Sequence, residues 1–197
     1  NEKLTFYKAS ERIYPGDWRT SNNVGCIYLQ QNKLSDAKAQ FNKAAGISPN
    51  NPVIMNNQAI VMRWEGDRKT ARETLNKAKS AGPEVSYNLG LIDIQDGKYA
   101  DALTNFGTAK SFNVGLAKVL SGDVDGAAGV IDASSEKEDA LSYYLKAIMG
   151  ARKGNKDMLI NNLRTATQKD PSLKAKAKTD VEFLKYRDDA DFQGIVN

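Results

Sequence analysis

Between Trp18 and Pro49 the apolar residues recur at helical spacing twice over. Val24, Ile27 and Tyr28 share one face of a first helix, with Gly25 among them as a small residue that lets a neighbouring helix approach. Leu34, Ala37, Phe41 and Ala44 share a face of a second helix; Ser35 and Asp36 stand near its start and Pro49 closes the unit. The pattern predicts two amphipathic helices, A and B, joined by a tight turn. Shifted by 34 residues, it lays Gly25 on Ala59, Tyr28 on Met62, Ala37 on Ala71, Phe41 on Leu75, Ala44 on Ala78 and Pro49 on Pro83. Six matches in one register mark an internal repeat, whose units bury their apolar faces against one another.

Followed along the chain, the helix pair is expected at 18–51, 52–82, 83–110, 111–134 and 138–171. The turn glycines Gly66, Gly97 and Gly122 follow one another by 31 and 25 residues, so the third and fourth repeats are compressed. Helices A and B of the third repeat are predicted at 84–95 and 99–110, those of the fourth at 112–120 and 124–132. Gly126 and Gly129 inside that last short helix each cost up to about 1 kcal/mol relative to Ala, so tertiary packing must hold it. Residues 1–14 read as a lone helix B, with Tyr7 in the register of Phe41 and Ser10 in that of Ala44, as though the chain were cut from something longer. Residues 172–197 read as a terminal cap: a short lysine-rich helix, a helix capped by Asp180 and a last turn around Phe192.

Composition narrows the function classes. The 197 residues are 41% hydrophobic and 26% charged, the balance of a folded soluble chain, and no apolar run approaches the roughly 20 residues that span a bilayer. There is no histidine and a single cysteine, Cys26, which removes the commonest general base, an internal disulfide and the usual zinc ligand sets. The glycine cluster from Gly122 to Gly129 follows a helix rather than a strand and is not a phosphate loop. Asp123 and Asp125 lack the closing glutamate of a calcium loop. Asp188, Asp189 and Asp191 read as helix caps rather than as a catalytic pair. Neither cofactor nor metal is expected, and the chain reads as non-enzymatic. The net charge of +4 is uneven, with ten basic against four acidic residues between 150 and 187. A basic stripe without a nucleic-acid-binding motif or interleaved exposed aromatics points to a solvated cap or an acidic protein surface rather than to nucleic acid.

The order small residue, aromatic, Ala, Phe, Ala, Pro, carried by Gly25, Tyr28, Ala37, Phe41, Ala44 and Pro49, resembles the tetratricopeptide repeat, and Tyr87 to Gly90 (YNLG) is similar to its consensus. Ser21 and Met55 stand where the family often has Trp. The resemblance implies an all-α, right-handed superhelix of about five helix-turn-helix repeats with a truncated first repeat and a C-terminal cap, in one domain. It also implies a concave groove lined by helices A, which binds a peptide or helix of another protein. Carried over residue by residue, that groove holds Arg19, Asn22, Asn56, Asn57, Arg63, Trp64, Tyr87, Asn88, Leu91, Phe112, Tyr144, Ile148 and Arg152. Tyr87, Phe112 and Tyr144 share one position in three successive repeats, either as a ladder of aromatics lining the groove or as rings buried by the compressed repeats. The family's carboxylate clamp is not reproduced: its places hold Asn22, Cys26, Asn57, Glu84 and Asn88, of which Asn57 alone conforms. The pattern also resembles repeat segments of bacterial envelope proteins, which implies the periplasm or cell envelope, with the cytoplasm as alternative. A spacer or self-associating scaffold is the alternative function.

Overall fold

In the computed structural model, which describes residues 2–197, the described residues form helices and turns and no strand. They fall into two compact units that divide between Gly97 and Lys98, inside the expected third repeat.

The first unit contains α1 (Glu2–Ile13), α2 (Trp18–Gln30), α3 (Leu34–Ile47), α4 (Pro52–Trp64), α5 (Arg68–Lys77) and α6 (Pro83–Gln95), with a 3-10 turn at Lys79–Ala81. Local chemistry sets these limits. The Asp17 carboxylate accepts the Arg19 N–H at the start of α2, Asn51 accepts from Val53 ahead of α4 with Pro52 in the first turn, and Asp67 accepts from Thr70 ahead of α5. The turn joining A to B requires a left-handed residue. Gly66 supplies it at φ +92°, and Asn32 occupies the same place one repeat earlier at φ +57°. Helix α5 ends at Lys77, and the residues after it tighten into the 3-10 turn. The core of this unit is Ala37, Phe41 and Val61, then Ala59, Ala71, Leu75, Ala78, Val85, Leu89 and Ile92.

The second unit contains α7 (Tyr99–Phe106), α8 (Phe112–Ser121), α9 (Val124–Asp132), α10 (Ala140–Arg152), α11 (Lys156–Lys169), α12 (Leu173–Thr179) and α13 (Ala190–Val196). Helix α7 stops four residues short of the expected end, because Gly107 turns to φ +57° and leaves Ala109 outside the helix. The segment after Asp180 is indeed capped by its carboxylate, but Val181–Tyr186 winds as a 3-10 helix. Two clusters form the core. Val119, Ala127, Ile131, Leu145 and Met149 pack between α8, α9 and α10, and Tyr144, Leu159, Leu163, Phe183 and Phe192 belong to a larger cluster where the cap closes on α10 and α11.

The small residues of helix A are contact points. A Cβ on Gly25 would lie 2.5 Å from the Phe41 ring, and one on Gly115 would lie 2.6 Å from Ile131 Cγ1. In both pairs the B helix thus drives a large side chain into a gap on its A helix. No helix among the described residues is long and apolar enough to cross a membrane.

Candidate binding faces

Helices α2, α4 and α6 are the A helices of the first unit, and a chain of side-chain amides crosses all three. Asn57 Nδ2 donates to Asn22 Oδ1 at 2.8 Å and, more weakly, to Cys26 Sγ at 3.6 Å. Asn56 Nδ2 reaches Asn57 Oδ1 at 3.5 Å, and Asn88 Nδ2 donates to Asn56 Oδ1 at 2.9 Å. Helical geometry makes this possible: Asn56 and Asn57 are adjacent on α4 and splay toward α6 and α2 respectively. Beside them Val53, Asn56, Asn57, Ala81 and Glu84 line an open cleft of about 290 Å³.

Arg63 stands seven residues after Asn56, two turns or about 10 Å further along the same face of α4. It is half-buried, and its Nε lacks a hydrogen-bond partner. Among the described residues it forms no ion pair, and burial holds its guanidinium below its usual pKa. Trp64 next to it is 46% exposed. Tyr87 and Leu91, one turn apart on α6, are half-buried.

Three expected groove residues are otherwise engaged. Asn22 is 6% exposed; it anchors the amide chain from beneath and offers no surface to a ligand. Arg19 points to solvent, paired with Asp17 at 3.3 Å and lying over the Trp18 ring, away from the amides. Arg152, at the end of α10, is a structural clamp: its Nε donates to Glu182 at 2.9 Å, its Nη2 binds the other Glu182 oxygen and its Nη1 binds the Val119 carbonyl. The Glu182 bonds hold that guanidinium above its ordinary pKa.

In the second unit Phe112, Tyr144 and Ile148 come together with Leu116, Leu141 and Leu145 around an apolar cleft of about 230 Å³, with Lys176 and Asp180 at its lip. Tyr144 is not a free ring, however. It is 3% exposed, packs edge-on against Phe183 at 5.5 Å between centroids and donates its hydroxyl to Asp180 at 2.8 Å. Burial, and then Asp180, push its pKa up. Of the two readings of the aromatic positions, burial therefore holds for Tyr144, and the element that buries it is the cap.

The amide chain was not singled out as a set from the sequence, although a signal exists. Asn23, Asn57, Asn88 and Asn113 follow one another by 34, 31 and 25 residues, and the last two intervals are those of the compressed turn glycines. Asparagine is thus the residue next to the shared groove position in four repeats running.

A family model for the tetratricopeptide repeat matches residues 19–51. No curated protein sequence matches the chain. Among solved structures, a chain of the APC/C hetero-tetramer Cut9–Hcn1 superposes over 94% of this chain at a TM-score of 0.78 and 17% identity, this chain spanning 40% of that one. A tetratricopeptide repeat protein from Parabacteroides merdae gives a TM-score of 0.64 at 20% identity, covering 93% of this chain and 79% of its own. YrrB, described as a TPR protein with an unusual peptide-binding site, gives 0.57 at 20% identity, covering 86% and 97%. The likeness to all three is one of fold. Residues 19–51 thus match one tetratricopeptide repeat in sequence, and the chain as a whole shares the helical-repeat fold of these solved structures.

Proposed function

We propose that the chain is a non-enzymatic adaptor that holds a peptide of a partner protein in extended form across α2, α4 and α6. The observation that carries this reading is the amide chain from Asn57 through Asn56 to Asn88. A side-chain amide both donates and accepts, as a peptide bond does. Amides whose orientation is already fixed by their neighbours receive a backbone without first losing rotamer freedom. The exposed Trp64 and the unpaired Arg63 stand on the same helix, and aromatics and arginine are what binding hot spots favour. Arg63 is the group that would receive an acidic side chain of the peptide.

The test is selection of binding peptides from a random displayed library on the purified chain, followed by titration of the winners. Replacing Asn56 and Asn88 together by Ala leaves the Asn57–Asn22 pair in place, and is expected to weaken binding at least tenfold while the helical circular dichroism stays unchanged. Equal binding by the double variant overturns the assignment.

A second reading, a spacer or self-associating scaffold, is favoured by α1. None of its described residues is buried, and Phe6 and Ile13 are each 68% exposed with Tyr14 beyond them at 67%. Light scattering decides: a concentration-dependent dimer that Phe6→Ser with Ile13→Ser returns to monomer supports the scaffold, and a monomer throughout removes it.

A further inference from the structure

The apolar cleft of the second unit is walled by Phe112 and Leu116 of α8 and by Leu141, Tyr144 and Ile148 of α10. Its volume, about 230 Å³, falls below the roughly 300–1,000 Å³ of small-molecule sites. It is sized for one or two side chains. Leu141, 47% exposed, extends the apolar wall to the surface.

The lip carries two ionisable groups, and only one is uncommitted. Both carboxylate oxygens of Asp180 are used: Oδ1 accepts the Glu182 backbone N–H at 3.1 Å and Oδ2 accepts the Tyr144 hydroxyl at 2.8 Å. The Lys176 ammonium lies 5.5 Å from the centroid of the Tyr144 ring and, among the described residues, pairs with no carboxylate. Lys174 and Lys178, on the same short helix, pair with none either. The cleft therefore offers an occupant apolar walls and, at the edge, a lysine that forms no ion pair among the described residues.

We propose that this cleft receives a leucine or phenylalanine side chain of a partner protein's peptide in which an aspartate or glutamate stands next to that residue. The apolar side chain enters between α8 and α10, and the neighbouring carboxylate meets Lys176. The inference rests on the reading of the chain as an adaptor in that its occupant is a protein, but it uses none of the asparagines of the first unit. Charge complementarity selects this occupant. An uncharged apolar peptide would leave the lysines unanswered, and a phosphate-rich polymer would leave the apolar walls unfilled.

The test is an amide-resolved NMR titration of the whole chain with the N-acetylated, C-amidated peptide Gly-Ser-Leu-Asp-Asp-Ser-Gly. Shifts are expected to centre on Phe112, Leu116, Ile148 and Lys176. Changing the peptide leucine to alanine should weaken binding roughly tenfold or more, the cost of leaving the cleft unfilled. Changing both aspartates to asparagine, or the protein by Lys176→Glu, should weaken it several-fold, and the difference should shrink as salt rises. Lys176 is exposed, so its replacement leaves the fold intact. Indifference to both the leucine and Lys176 overturns the proposal. So does equal binding by an asparagine peptide with a free C-terminus, which would assign the carboxylate to a chain end. A dimer in solution that Leu141→Asp dissociates also overturns it, since a second copy then fills the cleft. If the shifts fall on Asn56 and Asn88 instead, this inference fails and the adaptor reading stands. If the Asn56 and Asn88 double variant keeps these shifts and also binds library peptides as the parent does, the assignment to the asparagine face fails and this inference stands.

Discussion

At the scale of the residue, Tyr144 shows how one side chain serves both core and cleft. Its ring closes the cluster with Phe183, and one edge of it lines the apolar cleft. Removing the ring by Tyr144→Ala opens a cavity and is expected to cost about 3–5 kcal/mol in urea unfolding, so lost binding in that variant would report unfolding rather than recognition. Tyr144→Phe keeps the packing and removes the hydroxyl bonded to Asp180, for about 1 kcal/mol. The two tyrosine states also set a pH dependence. Because the folded pKa is raised, the unfolded chain loses this proton first, near pH 10. The stability the hydroxyl confers is whole below about pH 10 and declines as pH rises beyond it, and Tyr144→Phe is expected to flatten that decline in unfolding curves between about pH 9 and 11. An equal decline in both proteins would place its origin elsewhere.

At the scale of the element, the same residue type acts in opposite directions. Gly150 sits where α10 touches the start of α11: a Cβ there would lie 2.5 Å from the Leu159 backbone nitrogen and 3.0 Å from its Cα. Backbone cannot rotate aside as a side-chain tip can, so Gly150→Ala must separate the two helices, at an expected cost of about 1–3 kcal/mol. Gly129, in the middle of α9, has nothing within 4 Å of the place a Cβ would take and no positive φ. Gly129→Ala is expected to stabilise by about 0.5–1 kcal/mol through the lower entropy of the unfolded chain. Thermal melts of the two variants should move to opposite sides of the parent. Gly126 differs again, since its Cβ would meet the Asp123 carboxylate that caps α9.

At the scale of the whole molecule, ion pairs between neighbouring helices set the response to acid. In the first unit Asp96 receives Arg68 at 2.7 Å and Arg72 at 3.1 Å, while Arg72 also reaches the buried Asp93 at 2.7 Å, tying α5 to α6. Burial alone would raise the Asp96 pKa, but the two arginines together outweigh it and hold it below the usual carboxylate range. Glu11, bonded by Lys43 and by Ser21, is likewise lowered, chiefly by Lys43, and joins α1 to α2 and α3. A depressed carboxylate stabilises at every pH above its unfolded value and loses that contribution as pH falls through the folded one. Stability is therefore expected to drop as pH falls below about 4, and the drop should be smaller in Asp96→Asn. An identical acid transition in that variant would exclude this group as its source.

Much of the fold was legible in the chain because it is local. Helix spacing, capping residues and left-handed turn positions act over a few residues, so Val124–Asp132 coincides with what the pattern predicts. The expectations that failed depended on conformation at single points: Gly107 ended α7 early, and the segment after Asp180 tightened into a 3-10 helix. The candidate binding face was legible as a list of positions, for the repeat register alone places Asn56, Asn57, Arg63, Asn88 and Ile148 on helices A. What the register could not tell is which of these positions remain open. Asn22 is covered by a hydrogen bond to a residue 35 positions away, and Tyr144 by Asp180, 36 positions on. The sequence by itself determined the repeat, the helices and the faces they present. Only the tertiary structure decided which of those faces are occupied by the chain itself, because burial is set by distant segments whose arrival no local periodicity records.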